Sequence, residues 1–435
     1  MHSHPDKPQD IPDAPVMGFW KCWSMSVGVM IGSGVFLLPA VLAPYGSISF
    51  LGWLFTSAGA ITIALVLGRL ASRTARSGGF YVYTREAFGD LAGFVIGWSY
   101  WISIVFGVAA ISVAFAGYAG AVIPVLGESK TTQAVLAATI IWTLTGVNIK
   151  GVAEAASVQL VMTLLKIIPL LVIIVLGAVT GSPDNIPPLN PTGLPLTEAL
   201  ATMGLLTMWA FIGLEAGVIP AGEVKDAQRT IPRAVVIGTL SVAAIYIAAT
   251  AAVMMLVPVE VLAQSEAPFA DAARALGKFG GPMIAVGALV ATAGSLNGNI
   301  LLSGQMPAAV ARDGLAPAVL AKKNAGHAPT RALVTSSCVA TLLLLFNYSD
   351  GLVSAFTFLI SMSTLAVLMP YALSALAELK HAGRSIGPWV IIAVLALAYS
   401  LIAMAGAGIR TLLWGLLLIV AGLPVFFWSR RNQSQ

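Results

Sequence analysis

The sequence has few charged side chains. Only 9% of its 435 residues are Asp, Glu, Lys or Arg, whereas 58% are hydrophobic. Soluble domains carry roughly 25% charged residues, so this chain cannot solvate an ordinary water-exposed surface. The composition excludes a soluble catalytic domain and indicates a membrane protein.

Cysteine and histidine are also scarce. The two cysteines, Cys22 and Cys338, fall in apolar segments and do not indicate a disulfide framework. The four histidines lie in tails or loops, and no His-Glu-x-x-His, Gly-x-Ser-x-Gly or phosphate-loop motif occurs. We therefore expect no metal site, no cofactor and no enzymatic activity, which leaves a membrane-embedded enzyme as a weak alternative.

The positive charges are distributed unevenly along the chain. With both termini placed in the cytoplasm, 18 of the 23 Lys and Arg residues lie in inside segments and 4 lie outside, with Lys166 left within a span. This bias predicts the orientation in the membrane. The net charge of +5 therefore reports topology and does not predict nucleic-acid binding. The polar start, residues 2–16, lacks a signal-peptide core, so the first span is expected to direct its own insertion.

Apolar runs of about 20 residues, enough to cross a bilayer, recur along the chain and predict twelve transmembrane helices. They lie at about 18–44, 47–70, 91–123, 132–149, 155–180, 199–221, 234–258, 281–305, 332–348, 352–377, 387–406 and 410–428. We expect a cytoplasmic tail at 1–16, a five-helix repeat at 17–180, an external loop at 181–197, a second repeat at 198–377, helices 11 and 12 at 378–428, and a cytoplasmic tail at 429–435.

The first span contains a glycine-rich stretch, Gly32-Ser33-Gly34, in its middle. Glycine lets a helix unwind, and the freed N–H groups at the start of the next half-helix would suit a substrate carboxylate. The alternative is that Gly28, Gly32 and Gly34 only allow close helix packing.

The sixth span has a similar interruption between Trp209 and Gly217, centred on Gly213. Carbonyl groups freed at the end of the first half-helix would accept hydrogen bonds from a substrate ammonium. Trp209 could cover the bound molecule, or it could be a packing residue. Paired breaks of this kind are typical of secondary transporters with inverted repeats, so the sequence predicts a carrier for an amino acid or a related amine.

Two isolated charges lie within predicted spans. Glu215 is the only ionisable residue between Glu198 and Glu223, and Lys166 lies near the centre of the fifth span. Intramembrane charges are costly and are functional candidates. Glu215 could gain and lose a proton during transport, or it could be a structural acid. Lys166 is expected to face the bundle interior in place of a metal ion, unless it lies near the membrane surface.

Several stretches resemble the amino acid, polyamine and organocation transporter superfamily. They are Gly32 to Pro39, Trp209 to Glu215, the loop from Glu223 to Arg233, and Ala293 to Gly298. The resemblance covers about residues 17–428 and is closest to the basic amino acid and polyamine antiporters, which include arginine/agmatine exchangers.

The resemblance implies an all-α LeuT-like fold of two inverted five-helix repeats plus helices 11 and 12, with broken helices 1 and 6. It also implies alternating access, location in the bacterial inner membrane, membrane lipids as surroundings and a homodimer in many relatives. Residues Ile31, Gly32, Ser33 and Gly34 would hold the substrate carboxylate, and Trp209, Ala210 and Ile212 would hold its amino group. Trp209 would be the gate, Glu215 the acid linked to pH sensing, and Lys166 the substitute for a sodium ion.

Three positions differ from the arginine exchangers. Ungapped matching puts Val29, Val108 and Asn299 where those exchangers present two Asn and a Trp. The remaining polar pocket residues would be Ser103 and Asn299, so a neutral or smaller amino acid is the alternative substrate. A channel is the alternative of another class, although channels usually build their pores from rings of carbonyls or charges.

Overall fold

The computed structural model describes residues 18–73, 79–150, 155–218, 224–324, 328–347, 352–382 and 387–431. Their regular secondary structure is helical. The α-helices are α1 (Phe19–Met30), α2 (Ser33–Leu42), α3 (Ser49–Arg73), α4 (Phe80–Phe88), α5 (Asp90–Val122), α6 (Lys130–Lys150), α7 (Ala155–Thr180), α8 (Leu196–Met208), α9 (Ala227–Leu256), α10 (Val259–Leu262), α11 (Pro268–Ala272), α12 (Gly280–Arg312), α13 (Thr330–Asn347), α14 (Leu352–Ala382), α15 (Pro388–Ala405) and α16 (Gly408–Arg431).

Within the described ranges, eleven helical segments are long and apolar enough to cross a membrane. Phe19–Tyr45 and Leu196–Ala216 each count as one such segment, although each contains a break, and Thr330–Phe346 is a shorter apolar helix. The prediction of an all-α integral membrane protein is confirmed.

Several helices extend beyond the predicted spans. Helix α9 begins at Ala227, before the expected 234, and α12 runs to Arg312, past the expected 305. The segment between the second and third predicted spans contains α4. Hydropathy marks only the part of a helix that lies in hydrocarbon, whereas backbone hydrogen bonding continues into the polar membrane surface, so α9 and α12 extend past the predicted spans by about two turns.

Helix α5 is at the centre of the bundle and is buried along most of its length, where it packs against α12 and α14. Helix α16 is largely exposed at the periphery. In a bilayer, close packing and interhelical hydrogen bonds hold helices together. A Cβ added to Gly177 of α7 would lie 2.5 Å from Cβ of Ala252 in α9, and the hydroxyls of Thr56 and Thr207 bond at 2.6 Å between α3 and α8.

Candidate functional site

The first interruption separates α1 from α2. Ile31 is extended (φ −73°, ψ 93°), Gly32 has φ −147° and ψ −142°, and helix resumes at Ser33. The N-cap residue of α2 is Gly32, which has no side chain that could cap the helix. The N–H groups of a first helical turn have no partners within their helix, so this end of α2 is a polar, positively polarised site inside the bundle.

The carbonyl groups at the end of α1 are bonded by three side chains from three other helices. Lys166 Nζ donates to the oxygen of Gly28 (3.0 Å), Ser295 Oγ to that of Val29 (3.4 Å), and Tyr246 OH to that of Met30 (2.6 Å). Lys166 is completely buried, so it faces the bundle interior. The negative end of α1 is thus occupied by the protein itself, and the N-terminus of α2 is the end of this break that a ligand can use.

The second interruption follows α8. A 3₁₀ turn runs from Trp209 to Phe211, Ile212 is extended (φ −63°, ψ 128°), and Gly213 has φ +111°. A residue with a Cβ rarely adopts this φ, and a Cβ at Gly213 would also overlap with Cγ1 of Val29. Glycine is therefore required here both by the backbone and by the close approach of the first break.

The two breaks lie against each other. A Cβ added to Gly34 would lie 3.1 Å from Cα of Ala210 and 3.2 Å from Cδ1 of Trp209, and one added to Gly213 would lie 3.1 Å from the Met30 nitrogen. Ile31 and Ala210 are buried and Ile212 is half-buried; the side chain of Ser33 is outside the described part. The residues expected to hold the carboxylate and those expected to hold the amino group therefore form one region.

The indole ring of Trp209 is enclosed by α5 and α14. It packs edge-to-face on Phe356, with ring centroids 6.4 Å apart, and its Cη2 lies 3.3 Å from where a Cβ of Gly107 would be. The side chain is 6% exposed, and its Nε1 has no hydrogen-bond partner among the described residues. Since a buried, unbonded N–H costs about 1–3 kcal/mol, this donor is suited to a group on a bound molecule.

The two polar residues expected in the pocket are buried and already hydrogen-bonded. Ser363 Oγ donates to the carbonyl of Ser103 (2.6 Å), one turn before Gly107 on α5. The Asn299 amide donates to the carbonyl of Ser295 (2.9 Å), within α12. A Cβ at Gly32 would overlap with Ser295 Oγ. Ser103 and Asn299 are therefore each about one helical turn from a residue that contacts a break.

Glu215 is fully enclosed and connects the second break to α5 and α14. Its Oε1 accepts a hydrogen bond from Tyr100 OH (3.0 Å), and its Oε2 accepts from Tyr371 OH (2.7 Å) and the Gly213 N–H (3.1 Å). Phe80 at the start of α4 packs on both tyrosine rings, at centroid distances of 4.7 and 6.5 Å. A change in the charge of Glu215 would therefore be felt by three helices and by the backbone of the break.

The amino acid permease family matches residues 17–414 of the chain. The chain belongs to this family. The family is one of transporters, so the predicted superfamily and the prediction of transport without enzymatic activity are confirmed.

Three similar proteins are named as antiporters. The chain is 32% identical to a putative arginine/ornithine antiporter of Bacillus subtilis, over 96% of this chain and 98% of that protein. It is 28% identical to an arginine/ornithine antiporter of Pseudomonas aeruginosa, over 95% and 90%. It is 30% identical to a cadaverine/lysine antiporter of Escherichia coli, over 97% and 96%.

Sequence reasoning on this amino acid permease missed several residues that surround the breaks. Ser295 lies in the stretch Ala293 to Gly298 that carries part of the family resemblance, so that stretch was a usable signal. Tyr100, Tyr246 and Tyr371 lie on α5, α9 and α14 and have no local feature that distinguishes them from packing tyrosines. Only their hydrogen bonds in the folded bundle connect them to the site.

Proposed function

We propose that this protein exchanges a basic amino acid for a decarboxylated amine across the bacterial plasma membrane, by alternating access and without sodium. The observation that carries this proposal is the N-terminus of α2, which follows Gly32 and lies beside the Trp209 to Ile212 turn. N–H groups favour a carboxylate and freed carbonyls favour an ammonium. Both proposed substrates carry an ammonium group, but only the amino acid has a carboxylate that can bind at the N-terminus of α2.

The proposed site residues keep the roles expected from the sequence. Ile31, Gly32, Ser33 and Gly34 would contact the carboxylate, and Trp209, Ala210 and Ile212 the amino group. Trp209 would be the gate, because its enclosed ring must move for a ligand to pass, and its unbonded Nε1 would donate to the ligand.

A LeuT-like architecture follows from the same proposal. The repeats would span 17–180 and 198–377, with helices 11 and 12 at 378–428 and α13 as the ninth of twelve spans. Both termini would be cytoplasmic. The exposed apolar faces of α15 and α16, with Leu401, Leu413 and Leu417 among their residues, would contact lipids or a second copy in a homodimer.

Two charges would couple transport to its driving force. The Lys166 ammonium holds the Gly28 carbonyl, so the bound cation that stabilises a broken helix is supplied by the protein. Glu215 would respond to protons, because protonation replaces an acceptor with a donor among Tyr100, Tyr371 and the Gly213 N–H.

Val29 makes one wall of the proposed site apolar, which limits the substrate side chains that the site can bind. Its side chain packs against Gly213, so the place where an arginine exchanger has a polar Asn is apolar and filled. Relatives named for arginine/ornithine and cadaverine/lysine exchange support a basic substrate. A valine in place of Asn offers no acceptor to the five N–H donors of a guanidinium, whereas an ammonium has only three to satisfy. A neutral amino acid is the second candidate, favoured by the same valine.

Counterflow into proteoliposomes tests the function. We expect uptake of labelled lysine or ornithine to be saturable, to accelerate with internal cadaverine or putrescine, and to be unchanged when choline replaces sodium. Trp209→Ala should lower the rate at least about tenfold, the scale of one lost ligand contact, whereas Trp414→Ala, at a 49% exposed tryptophan of α16, should leave it unchanged.

Other outcomes of this experiment would contradict the proposal. Acceleration by neutral amino acids alone would favour the second candidate substrate. Flux that rises linearly with concentration and ignores internal substrate would indicate a pore, and a strict need for sodium would remove the role given to Lys166.

A further inference from the structure

An apolar groove lies near one end of the bundle, between α13 and α16, with α5 and α12 as its floor. Its volume is about 220 Å³. Residues that line it are Trp98, Trp101, Val310, Leu320, Thr335 and Val425. It is separate from the two helix breaks and has no part in the proposed transport cycle.

The depth of the groove places it within one leaflet of the bilayer. Trp98 and Trp101 are eight and eleven residues beyond Asp90, the first residue of α5, which is about 12 and 16 Å along the helix. Asp90 is paired with Arg430 at 3.8 Å and thus marks the membrane surface. Half of the hydrocarbon core is about 15 Å thick, so the groove lies at the depth of the lipid tails. The exposed Thr335 in its lining places its mouth on the surface of the bundle.

Both indole N–H groups and the Ser336 hydroxyl in the lining of the groove are bonded within the protein. Trp98 Nε1 donates to the Leu418 carbonyl (2.9 Å), and Trp101 Nε1 donates to Ser336 Oγ (2.8 Å). Ser336 in turn donates to the Ser303 carbonyl (2.8 Å). These donors are not available to a ligand, so the groove suits an apolar occupant.

The walls of the groove are already in close contact below it, so helix movement cannot fill it easily. A Cβ at Gly97 would lie 2.6 Å from Val310 Cγ2, and one at Gly422 would lie 2.6 Å from the Trp98 ring. The rings of Trp98 and Trp101 pack at 5.0 Å. A groove of fixed shape that faces the bilayer has to be filled by part of its surroundings.

Size and charge narrow the choice of occupant. The volume is below the roughly 300–1,000 Å³ of pockets for drug-sized molecules, and a helix of a second copy, about 10 Å wide, is too thick to enter. Lys322 and Lys323 are exposed and follow Leu320, which lines the groove, by two and three residues. Such pairs of basic residues attract anionic headgroups.

We propose that the groove binds one acyl chain of an anionic phospholipid, with its phosphate held by Lys322 and Lys323. This site depends on membrane embedding and is independent of the substrate that the protein carries. The bound chain would fill the space between α13 and α16 and fix their separation.

Native mass spectrometry of the purified full-length protein, titrated with phosphatidylglycerol or phosphatidylethanolamine, tests the site. The wild type should retain one phosphatidylglycerol more strongly than any further copy. Thr335→Trp fills the mouth of the groove and should weaken this binding about tenfold, as expected if about two methylene groups lose contact. Leu342→Trp, two turns along α13 on an exposed position, is the matched control and should bind like the wild type.

Two further variants distinguish a specific loss of lipid binding from misfolding of the protein. Val425→Trp obstructs the groove from α16 and should weaken binding in the same way. The double variant Lys322→Gln/Lys323→Gln should still bind a phospholipid but should lose the preference for phosphatidylglycerol. Equal retention by the wild type and both tryptophan variants would overturn the proposal. If the wild type retains no lipid and forms dimers that Thr335→Trp disrupts, the proposal is overturned, and the groove is the contact surface for a second copy of the chain.

Discussion

Gly213 combines a positive φ of +111° with a close contact to Val29. An alanine there would adopt a backbone conformation that costs about 1–3 kcal/mol and would also displace Val29. We expect Gly213→Ala to abolish counterflow and to lower the thermal unfolding midpoint. The double variant Val29→Ala/Gly213→Ala should remain inactive, because it removes the overlap with Cγ1 of Val29 but keeps the 2.9 Å approach to Cβ of residue 29 and the backbone strain.

The control for this prediction is Gly298→Ala. Gly298 lies within α12, and a Cβ there would meet no atom within 4 Å. Alanine is a better helix former than glycine by about 1 kcal/mol, so this variant should be active and equally or more stable. Normal exchange by Gly213→Ala would show that the bent geometry of the second break is not needed.

Glu215 is held by two tyrosines and one backbone N–H. Replacement by Gln removes the charge but keeps a side chain of the same shape in this position. We expect Glu215→Gln to flatten the dependence of exchange rate on pH, because the amide cannot gain or lose a proton. Tyr100→Phe keeps the carboxylate and should keep a pH dependence. If the pH profile of Glu215→Gln equals that of the wild type, the acid is structural.

Between elements, a buried ion pair joins α3 to α14. The Glu378 side chain is 0% exposed and accepts from Arg69 Nε (2.9 Å) and Arg73 Nη1 (2.8 Å). The Arg69 guanidinium also lies 4.3 Å from the centre of the Trp389 ring in α15. One carboxylate therefore fixes the ends of three helices at one membrane surface.

We expect Glu378→Gln to destabilise the fold by about 3 kcal/mol, the lower end for breaking a buried pair, because both arginines are about one-third exposed. Asp90→Asn breaks the pairs with Arg85 and Arg430, in which every side chain is exposed by a third or more, and should cost about 1 kcal/mol or less. Thermal unfolding in detergent, followed by tryptophan fluorescence, compares them. Similar midpoints for the two variants would mean that burial does not strengthen the Glu378 pair.

For the whole molecule, the distribution of Lys and Arg predicts the orientation in the membrane, since 18 lie on the proposed inside and 4 on the outside. In a Cys338→Ser background, which leaves only the buried Cys22, we expect Lys278→Cys to react with a membrane-impermeant maleimide in intact cells. Lys322→Cys should react only after the membrane is opened. The reverse pattern would invert the proposed topology.

The sequence was most informative where a local rule applies. Apolar length identified the spans, because a helix in lipid has to satisfy its own backbone, and glycine identified both interruptions, because only glycine tolerates the conformation of Gly213. It was least informative at the ends of helices such as α9 and α12, where polar residues continue the helix outside the hydrocarbon.

Composition, span length and the two glycine-rich stretches were enough to determine a helical membrane protein with two interrupted helices, because these are properties of short segments in a uniform solvent. Only the tertiary structure decided that Lys166, Ser295 and Tyr246 occupy the carbonyls of α1, and that Tyr100 and Tyr371 hold Glu215. These contacts join residues more than 100 positions apart, and their partners are chosen by how the helices pack, which no segment of the chain encodes alone.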